Sequence, residues 1–219
     1  MPNRSAAPPA RLRARTGRVT AKSVVDTAVR LADTEGIDAV SLTRIASELG
    51  VTQPSIYRHI NGIHELKKAM VLRARELLVA DLGEAAIGRT RDEAVQAVAN
   101  AWRHFVRVHP GLYDATDRIA TAGDADLEAA LDRIVHVLAM SMKGYRLAPD
   151  EQVHSARSIR SALHGFVALE KDAGHPPSAG LDESFERLVA LLVAGIQAME
   201  LPEATGAPDG RVGRRPTGR

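Results

Sequence analysis

The sequence predicts an all-α protein, with an N-terminal three-helix helix-turn-helix unit followed by a larger helical unit, about nine helices in all. Three observations carry this prediction. Apolar side chains recur at i, i+3, i+4 and i+7 over most of the chain. No segment alternates with period two. The one Asn-Gly pair, Asn61-Gly62, falls between two helical patterns rather than between strands.

The elements follow in order. Thr20 is placed to cap a first helix whose apolar face is Val24, Val25, Ala28, Leu31 and Ala32, with Gly36 as its stop. Ser41 caps a short second helix over 42–49. Thr52 caps a third, where Pro54 is tolerated because the first turn has no intrahelical donor to lose. A longer fourth helix is expected over 63–82. The fifth, 91–108, carries Val95, Val98, Trp102, Phe105 and Val106 and ends at His109-Pro110-Gly111. A short sixth is expected over 113–119. A seventh is marked by Leu127, Leu131, Ile134, Val135, Leu138 and Met142, and an eighth is expected over 153–173. The ninth carries Phe185, Leu188, Leu192 and Ile196 and is apolar around much of its girth, so it requires partners on more than one side. The last two helices are therefore the expected homodimer interface.

Composition narrows the function. The 219 residues are 45% hydrophobic and 26% charged, with no cysteine, so disulfides, thiolate metal sites and cysteine nucleophiles are excluded. No run of 18 apolar residues marks a membrane span, and residues 1–18 lack the apolar stretch of an export signal. A cytoplasmic protein is expected. Charge is uneven. Residues 1–22 hold six cations and no acid, 23–200 hold 19 Lys or Arg against 25 Asp or Glu, and 201–219 hold four Arg against Glu203 and Asp209. A basic arm is the electrostatic sign of a polyanion partner, or simply a solvated tail. The organisation read from this and from the periodicity is a disordered basic arm over 1–19, a three-helix unit over 20–65, a larger helical unit over 66–200, and a disordered tail over 201–219.

Residues 37–66 carry the functional signal. Ala46 is small enough to let the second helix approach the third, Gly50 ends the second helix, and Val51 and Ile56 turn inward to hold the angle. Thr52, Gln53, Pro54, Ser55, Tyr57, Arg58 and His59 then project outward, as groups suited to base edges and phosphates in a major groove. Ile45-Ala46, Leu49-Gly50-Val51, Tyr57-x-His59 and Leu66 resemble the N-terminal signature of TetR-type transcriptional regulators, and Thr52-Gln53-Pro54 with Tyr57 and His59 is similar to the recognition helix of the tetracycline repressor group. His109-Pro110-Gly111-Leu112-Tyr113, Ser161-Ala162-Leu163-His164-Gly165-Phe166 and Phe185-Glu186-Arg187-Leu188 resemble the C-terminal domain of a large TetR subset.

The resemblance covers roughly residues 20–200 and implies a nucleoid-associated bacterial protein, an all-helical homodimer that reads a palindromic operator in double-stranded DNA through a DNA-binding unit over 20–65 and answers to a small-molecule effector through a ligand-binding and dimerisation unit over 66–200, with repression the common outcome. By the same resemblance Tyr57 and His59 hold the DNA backbone, Gln53, Pro54 and Ser55 lie nearest the bases, Thr43 and Arg44 add contacts, and Arg18 and Lys22 meet flanking phosphates. The family usually places a lysine at the start of the fourth helix. Here that position is Ile63, so the expected phosphate contact is either moved to Lys67 or to the helix N-terminus, or lost.

Three of the chain's seven aromatic residues fall within 102–113, so Trp102, Phe105 and Tyr113, with Met142, read either as plain core or as the wall of an effector cavity between the fifth to eighth helices. Arg103, Tyr113, Arg160 and His164 are its candidate polar contacts. His164 reads as a satisfied core histidine or as a ligand contact, and Gly165 beside it implies a close helix approach. The eight histidines form no His-x-x-x-His pattern, so no metal and no cofactor is expected. No Gly-x-Ser-x-Gly elbow or phosphate-binding glycine loop exists, so no catalysis is expected. Two other functions fit the same sequence: a DNA-binding regulator without an effector, and a helical small-molecule carrier.

Overall fold

The structure, a computed structural model, describes residues 19–174 and 180–202. Among them are nine α-helices and no β-sheet: α1 (Ala21–Glu35), α2 (Leu42–Leu49), α3 (Gln53–Ile56), α4 (Ile63–Ala86), α5 (Arg91–Val108), α6 (Pro110–Ala115), α7 (Ala125–Ser141), α8 (Pro149–Lys171) and α9 (Leu181–Ala198). The basic arm to Arg18 and the tail from Glu203 lie outside the described residues.

Local chemistry sets most boundaries. Thr20 Oγ1 accepts from the Ser23 N–H at 3.1 Å while Ser23 Oγ accepts from the Thr20 N–H at 2.9 Å, a reciprocal cap on α1. Ser41 caps α2, and Gly50 ends it at φ 66°, the left-handed conformation expected of it. Asp124 caps α7 through the N–H groups of Asp126 and Leu127. Two starts differ from expectation for one reason. Pro110 and Pro149 open α6 and α8 rather than precede them, because a proline in the first turn forfeits no hydrogen bond.

α4 is the spine. Its 24 residues bury Leu66, Met70, Val71, Ala74, Leu78 and Leu82, and it packs against α1, α5, α6 and α7. A single apolar cluster runs from Val24 in α1 to Ile196 in α9. Lys68 fastens α4 to the start of α7 through Asp124 at 2.8 Å and Asp126 at 2.9 Å.

α6 is seated directly on α1. A Cβ on Gly111 would lie 1.8 Å from the Ala32 carbonyl oxygen, so only glycine permits this approach. Asp33 then accepts from the Leu112 N–H at 2.8 Å and pairs with His109 Nδ1 at 2.8 Å. The close approach expected at Gly165 is absent, since a Cβ there meets nothing within 4 Å. Across α5, α8 and α9, Arg103 and Arg107 grip Glu170 and Asp182, and the Arg103 guanidinium lies 4.6 Å above the Phe185 ring.

Candidate nucleic-acid interface and internal cavity

The α2–α3 corner is built around buried Ile45, Ala46, Ile56 and Ile60. The Val51 N–H reaches back to the Ala46 carbonyl at 2.9 Å, which closes the turn between the helices. That packing leaves Thr43, Arg44, Thr52, Pro54, Tyr57 and Arg58 exposed on one side, with Gln53, Ser55 and His59 half-buried among them. Every described residue expected at a DNA surface on these two helices is therefore accessible.

Details depart from the simple expectation. α3 is one regular turn, after which Ile56 O accepts from the His59 and Ile60 N–H groups as the chain tightens. Thr52 occupies the cap position without capping, because its hydroxyl engages Ser55 Oγ at 3.1 Å instead. Thr43 Oγ1 donates to Gln53 Oε1 at 3.3 Å and orients that amide from α2.

The cations differ in availability. Arg44 bonds Glu35 at 3.0 Å and Glu48 at 2.8 Å, and the Glu35 hydrogen bond raises its pKa further. Glu48 in turn holds Arg30 at 2.7 Å. Lys22 pairs with Asp26 at 2.6 Å, and Lys68 is committed to α7. Arg58 and Lys67 carry no ion pair among the described residues. Ile63 is exposed at the first position of α4, where the Glu65 carboxylate accepts from the Asn61 N–H at 2.8 Å.

A cavity of about 40 Å³ lies among α4, α5, α6, α7 and α8. It gathers Trp102, Phe105, Tyr113, Arg160 and His164, as the sequence suggested. Trp102 Nε1 donates to Tyr113 Oη at 3.2 Å, and Tyr113 Oη lies 2.7 Å from His164 Nδ1. Burial pushes the Tyr113 pKa strongly upward, so the phenol stays neutral. Tyr113 Oη thus joins Trp102 and His164 in one hydrogen-bonded row. His164 Nε2, the other ring nitrogen, lies 3.8 Å from Asp117.

Arg103 and Met142 are not in this wall. Arg103 points to Glu170 and Asp182, and Met142 is buried at the C-terminal cap of α7. Arg75 and Asp117 are, although the sequence reading passed over them. For Arg75 a signal existed, as an arginine among Val71, Ala74 and Leu78 on the buried face of α4.

Known proteins give the context. Residues 24–70 match the family described as bacterial regulatory proteins, tetR family, and residues 95–192 match the tetracyclin repressor-like C-terminal domain. An HTH-type transcriptional regulator of Mycobacterium tuberculosis is 32% identical over 186 residues, which is 84% of each chain. Among solved structures, a TetR transcriptional regulator from Streptomyces coelicolor superposes with a TM-score of 0.65 at 18% identity, covering 84% of this chain and 100% of its own. ActR from the same organism, in complex with (S)-DNPA, gives a TM-score of 0.60 at 17% identity over 83% of this chain and 98% of its own. Among the described residues no helix is long and apolar enough to cross a membrane. With its helix-turn-helix corner, its all-helical body and a relative of this similarity, the chain belongs to the TetR family of bacterial transcriptional regulators.

Proposed function

We propose that the chain is a homodimeric repressor that holds a palindromic operator and releases it when a small molecule enters the cavity at Tyr113. Residues 20–65 would form the reading unit and residues 66–200 the sensing and dimerising unit. One observation carries the ligand-controlled reading. α6 supplies both the cavity wall, through Tyr113, and the seat on the DNA-binding unit, through Gly111 and Leu112 on Ala32 and Asp33. An occupant that displaces Tyr113 moves a six-residue helix whose other side cannot slip on α1 without losing the Asp33 bonds. The ligand shifts the equilibrium only by its differential affinity for the two arrangements. ActR, bound to (S)-DNPA, is a precedent for a small-molecule complex on this fold.

Dimerisation is read from α8 and α9. Leu191 is 71% exposed, Leu169 is half-exposed, and Gly165 and Gly195 open onto empty space. That combination suits two helices of a second copy, and the two-fold would present the recognition turns to successive major grooves about 34 Å apart. Leu191→Glu is expected to give monomers by native mass spectrometry and to weaken operator binding together.

Gln53, Pro54 and Ser55 would face bases, Tyr57, His59, Arg58 and Lys67 the phosphates, and Thr43, Lys22 and Arg18 the flanks. Arg44 would join them only by exchanging Glu35 and Glu48 for phosphate. The test is fluorescence anisotropy on the protein's own upstream DNA over a salt series. Sequence-dependent, salt-sensitive binding supports the reading, and its absence favours a helical carrier. The 40 Å³ cavity also favours a second reading, a regulator with no effector. Under that reading no compound would raise the melting temperature and release DNA together.

A further inference from the structure

Among the described residues, the cavity contains two guanidinium groups and no carboxylate paired with either. Arg75, on the buried face of α4, is 5% exposed, and donates from Nη1 to the Leu127 carbonyl at 2.6 Å and from Nη2 to Thr121 Oγ1 at 2.7 Å. Both partners are neutral, so a full positive charge sits in the core on dipoles alone. Arg160 enters from α8 and has neither a hydrogen bond nor an ion pair among the described residues. Burial pulls the Arg75 pKa down, and the Arg160 charge pulls it down further, against a weaker opposing pull from Asp117. Asp117 is the one acid in the cavity wall. It is exposed, lies beyond ion-pair distance of both arginines, and meets the Thr116 hydroxyl at 3.5 Å and His164 Nε2 at 3.8 Å. The bonds to Leu127 and Thr121 account for how Arg75 is held in place. They do not account for a second cation beside it.

Resting on the reading of this cavity as the effector site, we propose that the effector is an organic anion, its carboxylate taken by Arg75 and Arg160 and its apolar body lodged against Trp102, Phe105, Leu131 and Ile134. Buried charge is costly unless it is paired, and a planar guanidinium matches a carboxylate with two parallel donors. The anion would complete what the fold leaves unmatched. A neutral analogue would leave both guanidiniums uncompensated, and a cation would add to the repulsion. The cavity as it stands admits about one water, so binding requires opening. Arg160 has no bond to release, whereas the anion's apolar body must also press Tyr113 aside against its bonds to Trp102 and His164, the displacement that moves α6. Asp117 competes for the same charge and must turn outward.

Trp102 is the only tryptophan in the chain and lines the cavity, so its emission reports occupancy without reference to DNA. The full chain is titrated with benzoate, phenylacetate and 3-phenylpropanoate and with their primary amides. Excitation is at the red edge of the indole band, where a phenyl ring does not absorb. At least one acid is expected to shift the Trp102 signal with at least about tenfold higher affinity than its amide, the ratio that about 1.4 kcal/mol provides. Arg160→Gln should remove that preference while leaving the far-ultraviolet circular dichroism unchanged, and Asp117→Asn should tighten acid binding several-fold. Arg160→Gln carries the test because Arg75→Gln also removes two buried hydrogen bonds. Amides binding as tightly as acids, no acid perturbing Trp102, or unchanged acid affinity in Arg160→Gln would each overturn the proposal. Operator release is followed separately. Acid binding without release upholds the anion site and overturns effector control. A neutral compound that releases DNA where no acid is preferred does the reverse.

Discussion

Glu170→Gln tests how α5, α8 and α9 are joined. Glu170 Oε1 accepts from Arg103 Nη2 at 2.6 Å and Arg107 Nη2 at 2.8 Å, and Oε2 accepts from Arg103 Nε at 2.8 Å. The Arg103 and Glu170 side chains are only 8% and 13% exposed. The hydrogen bond from Arg103, followed by that from Arg107, lowers the Glu170 pKa from 4.5 to about 2, worth about 3 kcal/mol at neutral pH. The amide keeps the volume and one acceptor, and Asp182 still reaches Arg103 at 2.9 Å, so the expected loss is about 2 kcal/mol. For a chain of this size that lowers the melting temperature by about 4–8 °C. The sign with pH follows from a depressed acid. Its contribution is complete above the unfolded value near 4.5 and fades as pH falls toward about 2, so the gap between wild type and variant should roughly halve by about pH 3. Calorimetry at fixed protein concentration, at pH 7, 5 and 3, measures it. A gap under about 1 °C at pH 7, or one independent of pH, would refute the argument.

Two further predictions concern the corner and its seat. Gly111→Ala drives a Cβ into the Ala32 carbonyl, and because backbone cannot swing aside the variant should lose at least about 3 kcal/mol and bind operator poorly even where it remains folded. Calorimetry and anisotropy check this, and wild-type stability would mean that α6 does not sit on α1. Gln53→Ala should relax sequence preference at one base pair by about 1–3 kcal/mol, whereas Tyr57→Phe should weaken all sites alike. A panel of single-base operator variants separates them, and equal losses on every sequence for Gln53→Ala would remove its base-reading role.

Much of the fold was legible because periodicity reports burial directly. Val24, Ala28 and Leu31 mark the inner face of α1, and all three are fully buried. Gly50 was legible because an αL stop has few alternatives. What escaped was tertiary. Gly111 and Gly165 look equivalent in sequence, yet only Gly111 meets a backbone, and that backbone lies 79 residues away. Neighbouring residues on a helix diverge by about 100°, so Trp102 faces the cavity while Arg103 turns to Glu170. One wall therefore cannot hold both side chains. Met142 takes the core alternative, buried at the C-terminal cap of α7. Arg75 was visible as a polar residue in an apolar stripe. Its meaning depended on Arg160, 85 positions further along the chain, arriving beside it.

The distribution of paired cations bears on where operator affinity comes from. Each phosphate neutralised by a free cation releases counterions and steepens the salt dependence of binding by about 0.9 on a logarithmic scale. A cation already held by carboxylates contributes less, since the phosphate must replace an existing partner. Around the α2–α3 corner Arg44 has two carboxylates, Lys22 has Asp26 and Lys68 has two aspartates, which leaves Arg58 and Lys67. Residues 1–18 add five arginines and no acid. Deleting residues 2–18 should therefore flatten the salt slope by about 2–4 per protomer, while Arg44→Ala flattens it by less than about 1 and costs some stability at the α1–α2 contact. Anisotropy titrations at five salt concentrations on one operator give both slopes. If Arg44→Ala flattened the slope as much as the deletion, the carboxylates around Arg44 would have to yield to phosphate on binding, and the arm would lose its assigned share.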